Sequence, residues 1–214
     1  MIAGLVSEAP MIKTKREERS MKLERSFYVC STALNAAHQL LGKVLVTDLN
    51  GERTSAVILE TEAYMGITDR ASHSHGGKRT ARNKTMYAIG GTVYVYLCYG
   101  IHHLFNVVVG TVDVPQAVLV RSVHAVDGIA IMQRRRQTAA TSTGGPGTLT
   151  QALGIRTAHD GLDLLGDAIW IEDRGIHVPN EKVMIGPRIG VDYAGEDALL
   201  PYRFRIAYSQ LEWN

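Results

Sequence analysis

The chain has 214 residues, a formal net charge of +2, 45% hydrophobic residues and 21% charged residues. This is one compact domain's length, with or without a tail, and its composition excludes global disorder. Cys30 and Cys98 are the only cysteines. Two cannot build a disulfide framework or a four-cysteine metal site, so both are expected to be buried or inert thiols in a reducing compartment. No apolar run reaches the roughly 18 residues that a membrane span needs. Glu17 and Glu18 interrupt the basic N-terminal run, which has no signal-peptide core and argues against secretion.

Charge is unevenly spread. Residues 71–159 hold nine Lys/Arg against Asp113 and Asp127 alone, while residues 160–214 carry five basic and ten acidic residues. A nearly acid-free middle suits a polyanion such as nucleic acid, although charges grouped in sequence need not meet in space.

In chain order, residues 1–25 read as a mobile polar tail. Residues 31–41 form a helix between Ser31 and Gly42. Strands at Lys43–Asp48 and Ser55–Glu60 flank Asn50-Gly51, a hairpin signal. Gly76–Lys84 is a basic loop. Thr92–Tyr99 is β-branched and aromatic, and so a strand. Two more follow at Leu104–Val109 and Ala117–Val123. Asp127–Gln137 is a helix with a basic tail, and Thr148–Leu153 opens another after Gly144-Gly145-Pro146-Gly147. Short strands at Ala168–Glu172, Val183–Ile185 and Tyr202–Ala207 complete the chain. Without a regular βαβ rhythm the class is α+β: a single domain over residues 26–214, built on a mostly antiparallel sheet.

Strand alternation puts Glu60, Glu62 and Tyr64 on one face. Two carboxylates beside a ring could serve as a general acid/base or metal pair, or merely as a solvated strand end. His73 and His75 could chelate, but no third ligand announces itself, and no metal is expected. Lys78, Arg79, Arg82 and Lys84 are candidate phosphate contacts. Tyr94 and Tyr96 share a face, and Gly100 presents Tyr99 at a turn. Such aromatics beside basic residues suit base stacking, or else fill a core with hydroxyls at its rim. Arg134-Arg135-Arg136 reads as a solvated helix face. Gly144–Gly147 lacks the Gly-Lys-Ser/Thr of a phosphate loop.

Several segments occur in a distinctive order: Leu59-Glu-Thr-Glu-Ala-Tyr64, Ala71-Ser-His73, Arg82-Asn83, Val93-Tyr-Val-Tyr-Leu-Cys-Tyr-Gly100, Asn106-Val107, Val118-Leu-Val-Arg121, Gly145-Pro-Gly147, Gln151-Ala-Leu153 and Pro187-Arg-Ile-Gly-Val191. From about residue 27 to 208 the chain resembles the alkyladenine (3-methyladenine) DNA glycosylase family of single-domain enzymes. The resemblance implies a curved sheet with surrounding helices and a DNA-inserting β-hairpin. It implies a monomeric, cofactor-free hydrolase that flips alkylated or deaminated purines out of damaged double-stranded DNA and starts base excision repair. It makes Glu62 the water-activating base, with Arg121 and the backbone carbonyl of Ile169 also on that water. It stacks the base among Tyr64, His73 and Tyr96, sets Asn106 against guanine's 2-amino group, and inserts Tyr99 into the minor groove. Ala81 and Thr148 depart from the family's usual proline and basic residue, the second at a phosphate contact.

Alkylation makes the purine a cationic leaving group, which electron-rich rings favour. No lysine neighbours Glu62 in sequence, so a Schiff-base lyase step is not expected. Two other readings remain: a nucleic-acid-binding module without catalysis, and a metal-dependent hydrolase using Glu60, Glu62, His73 and His75. The lesion range, the role of residues 1–25 and the compartment stay open: cytoplasm or nucleoid in a bacterium, nucleus or organelle in a eukaryote.

Overall fold

One long strand organises the sheet. In the computed structural model, which describes residues 21–213, β1 (Val44–Leu49) turns at Asn50-Gly51 into β2 (Glu52–Tyr64). Asn50 and Gly51 both have positive φ, 56° and 76°. That is the mirror-image turn whose twist matches a two-residue hairpin. The other strands are β3 (Val93–Cys98), β4 (His102–Val109), β5 (Gln116–Asp127), β6 (Ile169–Glu172), β7 (Met184–Gly186) and β8 (Arg203–Arg205). They form one antiparallel sheet in the order β3-β4-β5-β2-β1-β6. Beyond its pairing with β1, β2 pairs with β8 through Glu60–Glu62, and β7 lies on β8.

The β2–β5 ladder slips three times, first where Ser55 faces Asp127 and Ala56 faces Ala125. Ile58 faces Val123, Glu60 faces Ser122, and Thr61 faces Val120. Leu59 and Arg121 therefore have no opposite residue. Such bulges bend a strand and re-aim side chains. Alternation then gives the sheet two faces. Val95, Phe105, Val107, Val118, Val120 and Ala63 enter the main core, where α2 (Ala33–Gln39) and α4 (Pro146–Leu153) pack on the sheet. Tyr94, Tyr96, Asn106, Leu119 and Tyr64 face the other way and line a cavity.

The α+β sheet expected from the sequence is present, with shifted ends. Thr32, rather than Ser31, caps α2 by accepting from Asn35 N–H at 3.3 Å. Helix α3 covers Ile129–Arg136. Its Arg134 and Arg135 pair with Glu52 instead of standing free in solvent. Helix α4 begins two residues before Thr148, with Pro146 at its first turn, where a missing N–H costs nothing. Thr148 Oγ1 accepts from Gly145 N–H at 3.2 Å, so the residue that departs from the family is a helix cap here.

Two expectations need correction. Residues 21–25 belong to the folded body: Asp173 N–H donates to Met21 O (2.8 Å), Leu23 N–H donates to Ile171 O (2.9 Å), and Arg25, which opens α1 (Arg25–Val29), pairs with Asp163. The remainder of the expected tail lies outside the described residues. Cys30 is exposed, because the chain leaves α1 there toward solvent, and Cys98 is half-buried at the cavity.

Gly90 locks α1 to the β4–β5 connection. Its N–H donates to Gly110 O, and Gly110 N–H donates to Tyr28 O. A Cβ on Gly90 would lie 2.6 Å from Tyr28 O and 2.8 Å from Gly110 O. Gly90→Ala is expected to destabilise the protein by about 1–3 kcal/mol, measured by urea unfolding.

Candidate active site

The site starts from a buried carboxylate. Glu62 lies near the C-terminal end of β2 and is 0% exposed. Its Oε1 accepts from Ile189 N–H at 2.8 Å and lies 3.2 Å from Arg121 Nη1. Its Oε2 accepts from the Tyr64 hydroxyl at 3.0 Å. An ionised carboxylate has roughly four lone-pair sites. Two hydrogen bonds and one ion-pair contact therefore leave Glu62 lone-pair sites to spare. Burial pushes its pKa above the ordinary 4.5, while Arg121, Ile189 N–H and Tyr64 OH oppose that shift.

Arg121 reaches Glu62 from the β5 bulge. Its Nε is 3.3 Å from Glu60 Oε1, which Arg203 Nη1 also contacts at 3.0 Å. Glu60 is thus tied between two arginines, whereas Glu62 lies under the cavity wall. Tyr64, Arg121 and Ile189, the three groups that grip Glu62, all line that cavity of about 420 Å³.

The far wall is aromatic. The His73 ring packs edge-on against Tyr96 at 4.6 Å, and its Nδ1 lies 2.8 Å from Tyr94 OH. Burial, then the nearby Arg82 charge, lowers the His73 pKa to about 4. Burial raises that of Tyr94. A neutral imidazole thus shares its Nδ1 hydrogen bond with a phenol that keeps its proton. Asn83 Nδ2 donates to His73 O at 2.8 Å and fixes the loop.

Asn106 lines the cavity from the middle of β4. Its Nδ2 donates to Tyr94 O and Leu104 O, each at 3.2 Å. Tyr99 stands at the tip of the β3–β4 hairpin, 90% exposed and with φ at 50°. A positive φ costs a bulky residue energy. The basic loop leaves Lys78, Arg79, Arg82 and Lys84 exposed. Arg79 pairs with Asp113 and covers Tyr87, while Arg82 lies 5.1 Å over Tyr96 and lines the cavity.

Ile169 does not join this constellation. It is fully buried on β6 opposite Thr47, at the far end of the sheet from β3. The backbone beside Glu62 is that of Ile189. Its segment was visible in the sequence, but a backbone N–H carries no residue-type signal. Tyr193 and Cys98, also on the cavity, were missed: Tyr193 lies in no predicted element, whereas the alternation that pairs Tyr94 with Tyr96 also carries Cys98. His73 and His75 do not converge with the glutamates: among the described residues no group of three or more His, Cys, Asp or Glu could hold a metal ion.

Comparisons with known proteins give the family. The model of the methylpurine-DNA glycosylase family matches residues 26–210. A Chlamydia abortus protein described as "Putative 3-methyladenine DNA glycosylase" is 43% identical over 188 residues, covering 86% of this chain and 97% of that protein. A Bacillus cereus protein of the same description is 42% identical over 195 residues, covering 86% of this chain and 95% of its own length. The chain belongs to the methylpurine-DNA glycosylase family. It is a DNA glycosylase, a hydrolase of N-glycosyl bonds, and DNA is its substrate. Among the glycosylase's described residues, no helix is long and apolar enough to cross a membrane.

With its pKa near 4, the glycosylase's His73 is uncharged from pH 5 upward. Its imidazole C–H resonances are expected to stay flat between pH 5.5 and pH 8 in an NMR titration, where an ordinary histidine would move through its midpoint.

Proposed function

We propose that the chain receives alkylated or deaminated purine nucleotides flipped out of damaged double-stranded DNA, hydrolyses their N-glycosidic bond and leaves an abasic site. The observation that carries this reading is a fully buried glutamate with lone-pair sites to spare, held by the wall of an aromatic cavity. Glu62 takes the proton of a water that attacks the sugar carbon, and the base departs with the bonding electrons. The carboxylate also stabilises the positive charge that grows on the sugar. Arg121 keeps Glu62 ionised and orients the water. Ile189 replaces Ile169 as the backbone contributor.

Tyr64, His73 and Tyr96 sandwich the extruded base. Their π faces favour a cationic purine, and the neutral His73 adds no opposing charge. Tyr99, held outward at a strained tip, fills the gap left in the duplex. Lys78, Arg79, Arg82 and Lys84 meet phosphates. Among the described residues no lysine lines the cavity, so none of them stands ready to form a Schiff base, and the abasic strand stays intact. A single chain supplies every group in this scheme, as a monomer without cofactor would require.

Base release from duplex oligonucleotides that each carry one defined lesion, with chelator present, tests the proposal. Glu62→Gln is expected to lose at least about a hundred-fold in single-turnover rate while still binding the lesion. A general base must be ionised, so the parent rate falls as pH drops through the raised Glu62 pKa, above the ordinary 4.5. Near-normal turnover in the Gln variant would remove Glu62 from the role.

Asn106 decides which purines enter. Adenine and hypoxanthine lack the 2-amino group of guanine, and a side chain at its position excludes guanine sterically. Asn106→Ser, which shortens a buried residue in mid-strand, is expected to raise excision of guanine opposite thymine relative to hypoxanthine. An equal loss on every substrate, with a lower melting temperature, would make Asn106 purely structural.

A further inference from the structure

Behind Tyr64 lies a buried ion pair. The side chains of Arg188 and Asp69 are 0% and 1% exposed. Arg188 meets both oxygens of Asp69, Nη1 to Oδ2 at 2.5 Å and Nη2 to Oδ1 at 2.8 Å. Nη1 also donates to Ala63 O at 2.9 Å, and Nη2 to Asp197 O at 3.2 Å. The guanidinium carbon lies 4.9 Å from the centre of the Tyr64 ring. Tyr64 lines the cavity and Arg188 does not, so the cation sits on the side of the ring away from the cavity.

This pair ties together the segments that build the site. Ala63 stands between Glu62 and Tyr64. Asp69 accepts from Met65 N–H and Ala71 N–H, holding the turn that delivers His73. Arg188 directly precedes Ile189, whose N–H reaches Glu62. A buried apolar residue could fill the same space. A fork of donors fixes two backbone carbonyls and the Asp69 carboxylate at once, but it brings a full positive charge close behind a ring that faces the cavity.

We propose that Arg188 is a positioning residue for Tyr64 and the Glu62 contacts, and that Asp69 sets lesion specificity by cancelling a charge that would repel cationic purines. The inference rests on the reading that Tyr64 stacks on the flipped base. A base stacked about 3.5 Å in front of the ring lies roughly 8 Å from the guanidinium. At an effective dielectric constant of about 20, an uncancelled charge there changes the affinity for a cation roughly tenfold or more. A neutral base of the same shape feels almost none of it.

The test uses two duplexes, each with one 2′-fluorinated nucleotide that resists hydrolysis. One carries 7-methylguanine, a cation, and the other 7-methyl-7-deazaguanine, its neutral isostere. Both keep the 2-amino group, so crowding by Asn106 cancels in the ratio of their affinities. Asp69→Asn is expected to lower the cation-to-neutral ratio roughly tenfold, and Arg188→Met to raise it. Asp69→Glu, which restores the charge, returns the ratio toward the parent value. A purely structural pair would weaken both duplexes alike, and an unchanged ratio in Asp69→Asn overturns the proposal. If Arg188→Met does not fold, the comparison of Asp69→Asn with Asp69→Glu decides. Tyr64→Leu separates this inference from the reading beneath it. If Tyr64→Leu leaves binding to both lesions unchanged, the stacking reading fails and the inference falls with it. If Tyr64→Leu weakens both while Asp69→Asn keeps the parent ratio, the electrostatic inference alone fails.

Discussion

A carboxylate with no access to solvent has to be met by donors from the protein, and Glu62 is such a group. Its three partners come from three parts of the chain: Tyr64 on its own strand, Arg121 on β5 and the N–H of Ile189. Much of the local architecture serves that convergence. The bulge at Arg121 aims its guanidinium at both glutamates. Strand β8 brings Arg203 against Glu60, so positive and negative groups alternate from Arg203 through Glu60 and Arg121 to Glu62. Each charge in that row lowers the cost of burying the next.

The aromatic half of the cavity obeys a different constraint. Its side chains come from alternate positions on β3, β4 and β5, while the intervening residues fill the main core. A change that helps one face therefore shifts the other. His73, delivered by a loop, is pinned by Tyr94 OH and by Asn83 on its carbonyl. Rings held this firmly lose little freedom when a ligand enters, which favours binding by a preformed slot. The hairpin tip shows the opposite economy: Tyr99 is left exposed in a conformation that most residues avoid.

Much of this was legible in the sequence. The Asn50-Gly51 hairpin, the shared face of Tyr94 and Tyr96, and the common side of Glu62 and Tyr64 follow from periods of two and from turn chemistry. The misreadings have physical causes. Residues 21–25 look like tail because they are polar and short, yet their backbone is tied to β6 and the residue after it, a partner about 150 positions away. Ile169 was paired with the wrong neighbours because resemblance transfers roles by sequence segment, and its strand β6 is separated from β5 by both β2 and β1.

The sequence by itself determined the strands and their facing, the basic loop, the family and the chemically capable side chains. Those are local properties, carried by residue type and spacing. Only the tertiary structure decided which backbone N–H meets Glu62, that Arg121 stands at a bulge, and that Asp69 and Arg188 pair behind Tyr64. Backbone donors look alike at every position, and bulges arise from how two strands accommodate each other. A buried ion pair between residues 119 positions apart exists only once the chain has closed around it.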